Sequence, residues 1–136
     1  IRETFMKIPL TVKLLSMFLV FHTSAFAANI SVADATTPNE KAVAQTVVVF
    51  MSSAQSITVE VVYETSDGTA KKNEDYTPRS GTITFRPGET VKAIGIPILN
   101  DNSAEEKETI IVNLKNTSFG TLRDSQAIIY ITDDDS

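Results

Sequence analysis

Cysteine and tryptophan are absent from this chain of 136 residues, and its one histidine, His22, lies in an N-terminal stretch unlike the rest. No disulfide staple can form, although small exported domains often rely on one. Beyond residue 27 there is neither Cys nor His. That excludes a Ser-His-Asp triad, a Cys-His dyad and an ordinary zinc site. Oxygen-ligated metal is a substitute staple that the composition still allows. Long apolar runs are lacking too. The run Leu14–Phe21 is far shorter than the ~20 residues of a membrane-spanning helix.

That run has a different explanation. Met6-Lys7 and Lys13 precede it, and Ser24-Ala25-Phe26-Ala27 follows with small residues three and one before a cleavage after Ala27. The order charged, apolar, small is that of a secretory signal peptide. Residues 1–5 precede Met6, fit no leader pattern and are expected to be upstream read-through. The expected organisation is therefore residues 1–5 outside the protein proper, 6–27 a signal peptide and 28–136 one exported domain, secreted, periplasmic or held at the cell surface. No transmembrane span is expected in the mature chain.

What remains is acidic. Residues 28–136 carry nine Lys/Arg against 16 Asp/Glu, a net charge of −7 (9 − 16). Nucleic acid and anionic membranes are poor partners for such a surface, whereas cations suit it. The chain closes on Asp133-Asp134-Asp135 after the strand-like run Ala127–Thr132. Three adjacent carboxylates repel one another. They need either solvent, as a charged run that keeps a sheet end from pairing, or a cation.

From Asn29 onward apolar residues recur with period two rather than 3.6. The pattern predicts strands over Asn29–Asp34, Thr46–Met51, Ile57–Glu64, around Ile83 and Phe85, through Ile94, Ile96 and Ile98, through Ile110, Val112 and Leu114, and over Ala127–Thr132. Thr46–Met51 reads as covered on both faces, and Pro97 marks its strand as an edge or a bulge. Ser66-Asp67-Gly68-Thr69 reads as a turn, residues 70–78 as a polar loop, and Arg86-Pro87-Gly88-Glu89 as a tight turn. About seven short strands without a helix predict an all-β, immunoglobulin-like antiparallel sandwich.

Val61-Val62-Tyr63-Glu64-Thr65-Ser66-Asp67-Gly68-Thr69-Ala70, Asp75-Tyr76, Ser80–Thr90, Ile96–Asp101, Glu105–Thr109, Val112-Asn113-Leu114 and Ile131–Asp135 resemble, in order and spacing, the blocks of a Calx-β domain. The resemblance covers essentially Ile30 to Asp135 and implies a seven-stranded sandwich with a calcium site at one end, as in the calcium sensors of sodium–calcium exchangers and in bacterial surface proteins. Carried onto this chain it implies Asp75, Asp101, Glu105, Glu108, Asp133, Asp134 and Asp135 as metal ligands, with Glu40 in the first loop. Asn100 stands where the calcium-sensing exchanger domains have an aspartate. The site there has one charge fewer, which implies weaker binding.

Calcium takes 6–8 oxygens at about 2.3–2.6 Å in a tolerant geometry, so carboxylates gathered from distant loops suit it better than magnesium. The segment Asp101–Glu105 lacks the order of an EF-hand loop. Paired carboxylates can also cleave glycosidic bonds, but no aromatic platform accompanies these, and an enzyme is not expected. Two functions are carried forward. One is an exported calcium-binding module in a cell-surface interaction or structural role, with calcium ordering the loops and the C-terminal strand. The other is an adhesion or spacer module, or a fragment of a larger surface protein, with a vestigial cation site and a protein or glycan partner.

Overall fold

Alternation of apolar and polar residues gives each strand one face to bury, and two sheets stacked on those faces satisfy them all. The computed structural model describes residues 28–37, 43–100 and 106–132. In chain order the strands are β1 (Asn29–Val32), β2 (Ala35–Thr36), β3 (Ala44–Met51), β4 (Val59–Asp67), β5 (Ser80–Phe85), β6 (Val91–Pro97), β7 (Glu108–Thr117), β8 (Thr121–Asp124) and β9 (Gln126–Ile131). One sheet has the order β6-β3-β1-β8 and the other β2-β9-β7-β4-β5. Most neighbours are antiparallel; β1 with β8 and β2 with β9 are parallel.

The all-β sandwich expected from periodicity is what forms. Among the described residues two further short strands, β2 and β8, bring the number to nine. The predicted first strand, Asn29–Asp34, ends at Val32, and after Ala33-Asp34 the chain crosses to the other sheet as β2, whose Thr36 reads as loop by composition. Asp34 Oδ1 accepts the Ile128 N–H at 2.9 Å at that crossing. The core between the sheets is aliphatic: Ile30, Val47, Val49, Val59, Val61, Ile96, Ile110, Val112 and Ile129 are buried, with Phe85 and Tyr76 the largest side chains fully enclosed.

Pro97 ends β6, which is an edge strand, so its missing N–H costs no ladder bond. Glu89 N–H donates to Arg86 O at 2.9 Å and Gly88 has φ 89°, closing the 86–89 turn with glycine where φ is positive. The reading of Thr46–Met51 as covered on both faces is corrected. Val47, Val49 and Met51 point inward, but Phe50 is 43% exposed, because among the described residues no third layer covers the outer face of the four-stranded sheet.

Candidate metal centre

Two of the eight predicted ligands, Asp75 and Glu108, fall among the described residues. Glu40, Asp101, Glu105, Asp133, Asp134 and Asp135 lie outside them. The geometry around the described pair begins with β7, the longest strand. Glu108 is its first residue and stands opposite Ile131, the last of β9. On the other side of β7, Asp67 ends β4 opposite Ile110. All three strand ends therefore lie at one end of the sandwich.

The loop after β4 is clasped onto β7 at that end. Thr69 N–H donates to Thr109 Oγ1 at 3.0 Å and Thr109 N–H to Thr69 Oγ1 at 2.9 Å. Gly68 and Ala70 N–H both donate to Thr109 O. From there the chain makes a tight turn that carries Asp75. Asp75 N–H donates to Lys71 O at 2.9 Å, and Asp75 Oδ2 accepts the Lys71 N–H at 2.7 Å. Asn73 takes φ 68° inside the turn, a conformation asparagine tolerates better than most residues. The half-buried Asp75 carboxylate is thus held by one oxygen, and its Oδ1 has no hydrogen-bond partner among the described residues.

The described residues flanking the other predicted ligands meet at the same end. Leu99 N–H donates to Asp75 O at 2.9 Å, so the chain passes Asp75 just before Asn100. Ile98 N–H donates to Val43 O, and Thr37 N–H to Tyr130 O at 2.8 Å. Thr37, a fully buried polar residue, also donates through Oγ1 to Tyr130 O and accepts Thr132 N–H. β9 is therefore held from both sides up to Thr132, by Thr37 and by β7. Lys107 sets its ammonium 4.7 Å from the centre of the Tyr130 ring.

Reading Ser66-Asp67-Gly68-Thr69 as a turn missed the role of Asp67. Ser66 and Asp67 are still strand, and Asp67 continues the core-facing phase of Val59, Val61 and Tyr63. Its Oδ1 accepts two hydrogen bonds, from Tyr76 Oη at 2.6 Å and Lys72 N–H at 2.9 Å. An aspartate in core phase at a strand end was the signal available in the sequence. Tyr76, read as part of a polar loop, is instead fully buried, and Asp67 satisfies its hydroxyl.

The Tyr76 hydrogen bond holds the Asp67 carboxyl below the ordinary aspartate range; slight burial opposes this, and Lys72 and Lys71 reinforce it. Burial, then Asp67, push the Tyr76 hydroxyl well above the usual tyrosine value. A depressed carboxyl adds stability that is complete above its unfolded pKa and is lost as pH falls through the folded one. Melting temperature is accordingly expected to drop below about pH 4. Asp67→Asn should flatten that acid limb. Glu89, depressed chiefly by Lys92, keeps part of it. Melts of both proteins between about pH 3 and pH 6 check this, and identical slopes would contradict it.

Every candidate donor is oxygen, which fits a hard cation. Two carboxylates supply too few oxygens, and among the described residues no three Asp or Glu side chains form a group able to hold a metal ion. The donor chemistry suits calcium, and the other expected ligands, Glu40, Asp101, Glu105, Asp133, Asp134 and Asp135, lie outside the described residues.

The fold defines an immunoglobulin-like sandwich module that carries Asp75 and Glu108 toward one end. The chain belongs to the Calx-beta domain family, whose model matches residues 23–135. Among curated relatives, the sodium/calcium exchanger 1 of Canis lupus familiaris is 39% identical over 72 residues, 53% of this chain and 7% of that protein. The sodium/calcium exchanger 2 of Homo sapiens is 45% identical over 60 residues, 44% of this chain and 6% of that protein. The chain thus spans less than a tenth of the curated relatives it matches. Among solved structures, the apo-form Calx CBD1 domain superposes with a TM-score of 0.73 at 28% identity, covering 80% of this chain and 99% of that one. The calcium binding domain CBD12 of CALX1.1 gives 0.72 at 29%, covering 78% and 46%. Among the described residues no helix is long and apolar enough to cross a membrane.

Proposed function

We propose that residues 28–136 form an exported calcium-binding module, released by cleavage of a 6–27 leader, that serves a cell-surface interaction or structural role and not catalysis. The observation that carries this reading is the convergence at one sandwich end of Asp75, Glu108 and the chain segments leading to the other carboxylates. The likeness to a calcium binding domain supports it. The ligands would be Asp75 and Glu108 with Glu40, Asp101, Glu105, Asp133, Asp134 and Asp135. Bound calcium would supply the positive charge that offsets their mutual repulsion and would fix the acidic loops against the end of β9.

Calcium at 10 to 100 times its Kd adds ~1.4–2.7 kcal/mol of stability. The melting temperature should therefore be roughly 5–15 °C higher in calcium than in chelator. Superimposable curves would dismiss the calcium reading. A second reading, an adhesion or spacer module with a vestigial cation site, draws on the outer face of the four-stranded sheet. There Phe50 and Val91 are paired in register and 43% and 55% exposed. It predicts no calcium shift and binding of a protein or glycan partner.

A further inference from the structure

Asp67 and Tyr76 are absent from the expected ligand set, yet their contacts bracket the turn that carries Asp75. One oxygen of Asp67 receives the Lys72 N–H near the start of the turn and the Tyr76 hydroxyl at its end. Tyr76 is the residue after Asp75, and its ring is fully buried. The backbone on either side of that ring is fixed as well: Asn73 N–H donates to Tyr76 O, Thr77 N–H to Pro97 O and Leu99 N–H to Asp75 O. The ring anchors the turn to the core, and the hydroxyl sets how deeply the ring sits.

We infer that Asp67 and Tyr76 form a positioning pair for Asp75 as a cation ligand: Asp67, through the Tyr76 hydroxyl and the Lys72 amide, holds the 71–76 turn and with it the orientation of the Asp75 carboxylate. This rests on the calcium reading above and assigns the pair no contact with the ion. A metal ligand's orientation depends on the groups that hold it, and losing one such group typically weakens metal binding about 10–100-fold. Tyr76→Phe removes one hydroxyl, no charge and almost no volume, so it isolates the contact.

The test is calcium titration of the 136-residue chain by calorimetry, with melts in chelator alongside. Tyr76→Phe is expected to weaken calcium binding about 10-fold. Asp67→Asn should weaken it at least as much, since Asp67 also holds the Lys72 N–H, and the double variant no further than Asp67→Asn alone, because Tyr76→Phe removes a contact that Asp67→Asn already disturbs. Val49→Ala, in the core of the other sheet, should lower the melting temperature and leave calcium affinity unchanged. That contrast separates positioning from general loss of stability. Wild-type affinity in Tyr76→Phe overturns the inference. If Asp67→Asn alone weakens binding, Asp67 acts by its charge, as a ligand or through the Lys72 amide only, and the pair with Tyr76 is refuted. Absence of calcium binding by the wild type refutes the calcium reading itself, a distinct result.

Discussion

Phe85→Ala is expected to destabilise the protein by about 3–5 kcal/mol, the usual cost of emptying a buried phenylalanine site. Phe85 is fully enclosed and ends β5 opposite Val59. The core it belongs to is mostly valine and isoleucine held in strands, which resists collapse into the void. Total stability for a domain of this size is about 5–15 kcal/mol, so the loss takes a large share of it. The melting temperature should fall by roughly 15–30 °C. Phe85 sits at the opposite end of β4 from Asp67. The difference between melts in calcium and in chelator should therefore survive. A fall of only a few degrees would mean that the core repacks, and loss of the calcium difference would mean that the two ends are coupled.

The contrast between Phe85 and Tyr76 shows how far the sequence could be read. Phe85 lies in a period-two run with Ile83, and its burial follows from that pattern. Tyr76 stands alone among Lys71, Lys72, Asn73, Glu74, Asp75, Thr77 and Pro78, where no periodicity can indicate a core position. Its burial comes from tertiary contacts, with Asp67 and with Ile98. β2 and β8 were illegible for another reason. Two and four residues are too few for alternation to register, and each exists because a parallel partner, β9 or β1, lies beside it.

The candidate site divides in the same way. Acidic side chains were plain in the sequence, but nothing in their spacing along the chain brings Asp75 next to Leu99 or Glu108 opposite Ile131. Only the strand order does so, and the family resemblance stood in for it. The pinning of β9 by Thr37 was also beyond reach, because a threonine in a polar loop carries no mark of burial.

Gly68→Ala is expected to cost about 3 kcal/mol, whereas Gly95→Ala should be neutral or stabilising by ~0.5 kcal/mol. Both glycines lie in or beside a strand, and φ is positive at neither. Their surroundings differ. A methyl group at position 68 would lie 2.5 Å from the Thr109 carbonyl oxygen and closer still to Thr109 Oγ1. A methyl at position 95 would meet nothing within 4 Å. Relieving the clash at 68 requires the chain to move off β7. That movement would stretch the paired Thr69–Thr109 hydrogen bonds and the two amide bonds to Thr109 O. Strain from overpacking adds about 1–3 kcal/mol to each hydrogen bond's ~1 kcal/mol. The turn carrying Asp75 hangs from this clasp, so the calcium-dependent rise in melting temperature should shrink together with the stability. Melts of both variants with calcium and with chelator decide the matter. If Gly68→Ala melts within about 2 °C of Gly95→Ala, the clasp is loose enough to yield, and the rigid support claimed for Asp75 is wrong.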